Sequence, residues 1–254
     1  MSETMKGKKA LIVGVANERS LAWAVAQQLH AAGCELGFTY LDERLEKRVR
    51  PLAESLGSTL IEPCDVAKDE DIAKLFETTK KKWGTLDAVI HSVAFANREE
   101  LDGRFVNTSR EGFRLALDVS AFSLIPFAKH AEPLMPNGGT ILTMTYLGAQ
   151  KVVPNYNVMG VAKAALEASV RYLAYDLGPQ KICVNAISAG PVKTLAAAGV
   201  RNFREMLSSA AEKTPLKENI SADDVGHLGA FLCGPGGRHI TGTTMFVDSG
   251  AHIL

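Results

Sequence analysis

Residues 10–22 read Ala-Leu-Ile-Val-Gly-Val-Ala-Asn-Glu-Arg-Ser-Leu-Ala. The apolar start is a short buried strand, Gly14 lets the chain turn tightly, and a helical pattern begins near Ser20. Such a turn aims the free N–H groups of the helix at whatever lies above the sheet, and that end attracts phosphate. The usual dinucleotide fingerprint has three glycines where this stretch has one, so spacing alone fits an ordinary strand-to-helix turn equally well. Ser20 can offer a hydroxyl where the missing glycines would have offered backbone.

The alternation continues to the end of the chain. Apolar β-type runs at 10–14, 36–40, 59–62, 88–92, 140–145, 183–188 and 244–247 predict seven strands. Helical patterns fall at about 20–32, 42–56, 69–83, 109–135, 157–178, 194–213 and 222–233. Near-continuous apolar strands alternating with helices predict an α/β fold: one doubly wound domain over 1–254, its seven-stranded parallel sheet flanked by helices. Thr108 with Glu111 has capping-box spacing, Gly33 and Gly57 follow helical patterns, and Ser221 precedes Asp223 and Asp224 at the last helix. Residues 95–108, the longest stretch without a clear period, and 191–214, rich in Ala and small residues, are candidate functional loops.

Composition excludes other classes. The chain has 254 residues, 46% hydrophobic and 22% charged, which rules out disorder and fibrous repeats and leaves a core that needs no staples. Twenty-eight Lys plus Arg balance 28 Asp plus Glu, so no overall field draws nucleic acid or an anionic membrane. Cysteines at 34, 64, 183 and 233 have neither metal-clip nor redox spacing, which fits a reduced cytoplasmic setting. The basic opening runs into a first strand rather than a signal peptide, and no apolar run is long enough to span a bilayer. No His, Cys or carboxylate cluster has metal-ligand spacing, and His91, inside a strand, reads as a packed histidine.

In an open parallel sheet the ligand lies outside the carboxyl ends of the strands. Asp65, Val66 and Val93 stand at that edge; Asp65 can accept from an adenine amine or cap the helix that begins near Asp69. Leu41, Asp42 and Glu43 follow the second strand, where a ribose 2′-phosphate would fall. Two carboxylates there favour NADH over NADPH, with Arg44 close by. Tyr156 and Lys163 are seven apart, hence on one helix face at about 3.6 residues per turn, and Tyr146 ends the preceding strand. The two phenols can converge on one pocket, unless the tyrosines are ordinary amphipathic surface residues and Lys163 a solvated one. The helix is apolar on nearly every side, so Lys163 is expected to be partly enclosed and to need a partner. A nearby ammonium and a nicotinamide cation would favour the phenolate.

Tyr146, Tyr156-x6-Lys163, the turn Gly14-x5-Ser20-Leu21-Ala22 and the run Asn185-Ala-Ile-Ser-Ala-Gly-Pro191-Val-Lys-Thr194-Leu-Ala196 together resemble the bacterial NADH-dependent enoyl-acyl-carrier-protein reductases. That family is a divergent branch of the short-chain dehydrogenases with a Rossmann-type fold, and the likeness covers about residues 7–250. The resemblance implies hydride transfer from NADH to the 2,3 double bond of trans-2-enoyl thioesters in fatty acid biosynthesis. It implies that Tyr156 binds the thioester carbonyl, that Lys163 anchors ribose, and that Tyr146 and Ala96 stand beside the substrate. Gly14, Ser20, Leu21, Leu41, Asp65, Val66, Val93 and Val192, Lys193, Thr194, Leu195, Ala196 would be cofactor contacts, with a helical flap near 194–213 over the acyl chain.

Lys193, Arg201, Arg204, Lys213 and Lys217 could meet an acidic carrier protein, although interleaved glutamates fit a solvated face as well. Relatives are commonly homotetramers, and the apolar helices at 109–135 and 157–178 would supply the contacts. The larger short-chain family would have Lys at 160 and Ser at 143, where this chain has Gly160 and Thr143. A carbonyl (3-oxoacyl) reductase and a silent NAD-binding paralogue are the alternative readings.

Overall fold

The computed structural model describes residues 4–192, 194, 207 and 211–254. All seven expected strands are present, each within about a residue of its expected bounds: β1 Lys9–Val13, β2 Glu35–Tyr40, β3 Leu60–Pro63, β4 Ala88–His91, β5 Gly139–Thr145, β6 Ile182–Ala189 and β7 Thr244–Val247. They form one parallel sheet in the order β3-β2-β1-β4-β5-β6-β7. The order reverses between β1 and β4, which is where an open α/β sheet leaves a crevice between diverging connections.

Strand residues point alternately to the two faces, and each face carries its own core. Leu11, Val89, Ile141 and Val184 pair in one row across four strands and are buried. They pack with Ile72, Leu75 and Phe76 of α3 (Asp69–Trp83), Leu124 and Phe127 of α6 (Leu124–Ala131), and Leu166 and Val170 of α7 (Asn157–Leu177). On the other face Ala10, Ile12, Phe38, Ile90 and Leu142 meet Leu29 of α1 (Leu21–Ala31), Val49 of α2 (Glu43–Ser55) and Leu232 of α8 (Ala222–Cys233). With both faces covered, the strands carry apolar residues at nearly every position, and only the edges formed by strand ends remain open.

Two local expectations change. The helix expected over 109–135 is broken into α5 (Arg110–Leu117), a π turn over Asp118–Phe122 and α6. Pro126 has no N–H for the carbonyl four residues back, and the Ser123 hydroxyl donates to Val119 O at 2.7 Å, so the ladder loosens there. The cap of α5 is Ser109 rather than Thr108: Ser109 Oγ accepts from Gly112 N at 2.9 Å, while Thr108 Oγ1 donates to Phe105 O. The Ser221 cap has the expected form, with Asp224 completing the box, and Gly33 and Gly57 follow α1 and α2 at positive φ. The stretch 95–108 folds into a short α4 (Arg98–Leu101) and a single 3-10 turn, Phe105–Asn107. Most of the expected 194–213 helix lies outside the described residues.

The four cysteines are free. Burial pushes the Cys34 and Cys64 thiols up to about 12 and raises those of Cys183 and Cys233 as well. A thiol-specific disulfide reagent at about pH 8 should therefore leave all four unmodified in the folded protein and label all four in denaturant. Rapid labelling of the folded protein would contradict this packing.

Candidate active site

Because all strands are parallel, residues that follow their carboxyl ends share one edge of the sheet. Gly14 follows β1, Leu41 follows β2, Asp65 and Val66 lie just past β3, Ser92 and Val93 follow β4, Tyr146 follows β5, and Gly190 to Val192 follow β6. Gly14 sits at the reversal point with φ +101°, and a Cβ there would come 2.1 Å from the Ser92 carbonyl oxygen. Only glycine lets the β1 turn pass so close to β4.

Ser20 does not cap its own helix: its Oγ accepts from the N–H groups of Ala16 and Asn17 at 3.0 and 3.2 Å. The hydroxyl thereby closes the single-glycine turn with its lone pairs and keeps its proton for an outside acceptor. Helix α1, opened by Leu21, has no acidic residue in its first turn, so its positive end is not internally neutralised.

Asp65 is not the cap of α3, whose first residue is Asp69; its Oδ1 accepts from Ala67 N at 3.1 Å and Lys68 lies 3.5 Å from its Oδ2. Val66 and Val93 are half-buried against the core and Leu41 is exposed. Asp42 is drawn into capping α2, accepting from Leu45 N at 2.8 Å, and Arg44 stands 3.9 Å from its other oxygen. One of the two carboxylates expected to repel a 2′-phosphate is thus engaged, beside an exposed cation. Val192 and Thr194 lie beyond β6, with Thr194 N donating to Val192 O at 2.8 Å. Lys193, Leu195, Ala196, Arg201 and Arg204 lie outside the described residues.

The rings of Tyr146 and Tyr156 meet edge to face with centroids 4.9 Å apart. Gly148 and Gly160 make room for this: a Cβ on Gly148 would lie 2.4 Å from Tyr156 Cδ1, and one on Gly160 would lie 2.8 Å from the Gly148 carbonyl oxygen. A lysine at 160 cannot be accommodated there, and the amine stands at 163 instead. Tyr156 is flanked by Asn155 at φ 62° and Asn157 at φ 35°. Asparagine tolerates this region, and the Asn157 amide donates to Leu101 O and Gly103 O at 3.2 and 3.3 Å, which holds the start of α7 against the segment carrying Ala96.

Lys163 is 5% exposed and its Nζ donates to Met144 O at 2.8 Å. Burial lowers its ammonium to about 8, against the opposing charge of Glu167. The phenols move the other way from the expectation. Burial, reinforced by Tyr146, raises Tyr156 well above the ordinary phenol range, and burial raises Tyr146 too. Both are neutral O–H donors rather than phenolates. A cleft of about 280 Å³ opens beside Tyr146, Ser188 and Pro191. Thr143 has its hydroxyl turned inward, 3.0 Å from His91 O and 3.2 Å from His91 Nδ1. Burial lowers His91 to about 3, so it stays neutral, and its Nε2 lies 2.9 Å from Ser123 Oγ. Sequence reasoning missed Glu167, which its spacing of four from Lys163 on an apolar helix could have revealed.

A family model described as enoyl-(acyl carrier protein) reductase matches residues 14–252. The chain is 52% identical to the enoyl-acyl-carrier-protein reductase (NADH) FabI of Bacillus cereus over 254 residues, covering 99% of each. It is 52% identical to the FabI of Nostoc over 253 residues, covering 98% of each. Among solved structures, the Bacillus cereus reductase with NADP+ and indole naphthyridinone superposes with a TM-score of 0.98 at 52% identity, over 100% of this chain and 99% of that one. The reductase of Anaplasma phagocytophilum in complex with NAD gives 0.96 at 51% identity, over 100% and 97%.

Replacing Gly14 by Ala forces a side chain against Ser92 O at a left-handed backbone position. The expected cost is about 2–3 kcal/mol, a melting temperature lower by roughly 5–10 °C, and loss of nucleotide binding. A variant that melts with the natural protein would contradict the close approach. Sheet order, glycine turn, paired phenols and full-length similarity agree, and the chain belongs to the enoyl-(acyl carrier protein) reductase family.

Proposed function

We propose that the protein reduces the 2,3 double bond of trans-2-enoyl thioesters, carried by acyl carrier protein, with NADH as reductant. The observation that carries this is the pair of neutral phenols meeting edge to face at the carboxyl edge of the sheet, where the buried Lys163 ammonium bonds the Met144 carbonyl two residues before Tyr146. The residues present fit a dinucleotide: a turn whose glycine leaves no room for a Cβ opens onto an α1 terminus free of acidic residues. When bound, NADH supplies the hydride, delivered to the β-carbon of the enoyl chain. Negative charge would then grow on the thioester oxygen, to which the Tyr156 O–H donates a hydrogen bond. The α-carbon of the enolate takes a proton from solvent water as the C=C of the enolate becomes the single bond of the saturated acyl thioester and the carbonyl re-forms. Tyr146 buttresses the Tyr156 ring and borders the acyl group with Ala96. Lys163, with one N–H donating to Met144 O, has two N–H groups left for ribose hydroxyls. Ser20, Leu21, Leu41, Asp65, Val66, Val93 and Val192 to Ala196 would line the nucleotide, and a flap near 194–213 the acyl chain.

A carbonyl reductase needs a hydroxyl at position 143 facing its substrate oxygen. The inward Thr143 hydroxyl disfavours that reading. The single domain is inferred to assemble as a homotetramer through its outer helices. Phe113, Phe122, Ile125, Val161, Tyr172 and Tyr175 are exposed there, and an apolar depression of about 490 Å³ lies between α3 and α6. Free cysteines, with no described helix long and apolar enough to cross a membrane, support a cytoplasmic setting.

With crotonyl thioester, NADH oxidation should proceed and Tyr156→Phe should lower kcat about 100- to 1000-fold, the loss of one oxyanion donor. Absence of turnover at every chain length would remove the assignment; oxidation of NADPH by acetoacetyl thioester alone would install the carbonyl reductase. Arg44→Gln should raise KM for NADPH several-fold and leave that for NADH within about twofold, because it removes the cation nearest the 2′-position. Equal effects on both cofactors would place the 2′-position elsewhere.

A further inference from the structure

Glu167 has no part in the reaction as described, yet it is a carboxylate only 7% exposed. It stands one turn beyond Lys163 on α7. Its Oε1 accepts from Thr145 Oγ1 at 2.9 Å and its Oε2 from Gln150 Nε2 at 3.2 Å. Thr145 is the last residue of β5, immediately before Tyr146, and Gln150 directly follows the Leu147–Ala149 turn on which the Tyr156 ring rests. One carboxylate therefore bonds to both ends of the Tyr146 segment from the helix that presents Lys163.

We propose that Glu167 is a positioning residue for Lys163, its carboxylate held in place by Thr145 and Gln150 so that a fixed negative charge keeps the amine protonated and aimed into the cofactor site. This rests on the reading of Lys163 as the ribose anchor.

A buried cation is costly unless a partner offsets its lost hydration, and Met144 O is a dipole rather than a charge. Other groups near Lys163 cannot substitute. His91 on β4 stays neutral, and Tyr146 and Tyr156 are held protonated. Strand β6 contributes only Cys183, whose thiol burial raises. Arg98 and Glu99 of α4, Arg114 of α5, Asp118 of the π turn and Lys129 of α6 are exposed, and Glu100 is bonded to Ser109. Among the described residues, Glu167 alone opposes the fall of the Lys163 ammonium to about 8.

The test is Glu167→Gln, which preserves shape and removes charge, read as NADH affinity by fluorescence and as kcat/KM across about pH 6 to 9. The alkaline limb, near 8 in the natural protein, should move down by about one pH unit or more, with NADH affinity weakened above neutrality. Glu167→Asp, which keeps the charge, should return the limb most of the way. A lower rate with an unmoved limb would mark a merely structural carboxylate and overturn the proposal, as would profiles that superimpose. Should the Gln variant not fold, the natural protein decides: the Glu167 carboxyl carbon resonance should step at the Lys163 midpoint, and the lack of a step overturns the proposal. If no enoyl thioester is turned over at all, the proposed reaction fails while the NADH-affinity readout still judges Glu167.

Discussion

A lysine buried in an apolar helix is the constraint on which the site depends. Removing an ammonium from water costs several kcal/mol even after relaxation, about the scale of a protein's whole net stability. Lys163 tolerates this because β5 ends where it does: the Met144 carbonyl, one residue short of the strand terminus, accepts a hydrogen bond from it, and Thr145 turns its hydroxyl to Glu167 one turn along α7. The strand that delivers Tyr146 and the helix that begins after Tyr156 are thus joined by polar bonds inside an otherwise apolar seam. The two phenols meet because that seam closes.

Chain topology places the seam where chemistry can use it. Helices cover both faces of the sheet, so the edges left by the strand ends are the open ground, and the reversal between β1 and β4 opens the carboxyl edge further. Two close approaches fit that edge for a ligand. Gly14 lets the β1 turn pass Ser92, and the Gly148 and Gly160 pair lets α7 lie on the turn after Tyr146. The second approach also accounts for a lysine seven residues beyond the tyrosine: at 160 the Gly148 carbonyl fills the space.

The architecture was legible because doubly buried strands must be apolar at successive positions, a pattern that survives without knowledge of neighbours. All seven strands and helices α1, α2, α3, α7 and α8 stand where the periodicity puts them. What the pattern hides are competitions settled by tertiary partners. Ser109 wins the cap over Thr108, with Glu100 bonded to both its N–H and its hydroxyl. The π turn lies where the Ser123 hydroxyl bonds Val119 O and Pro126 brings no N–H to the ladder. Within the site, the approach of Tyr146 to Tyr156 was legible from spacing, but the direction of their acidity was not, since burial raises both phenols. Glu167 was missed because its partners, Thr145 and Gln150, come from outside its own helix.

The most direct measurement is a carbon-13 titration of the lysine ε-methylene resonances, with Lys163 assigned by its disappearance in Lys163→Arg. A midpoint near 8 for this one residue, against the ordinary value of 10.5, is the expected result. A midpoint that coincides with the surface lysines would mean a solvated amine, and the buried seam joining β5, α7 and the two phenols would not exist.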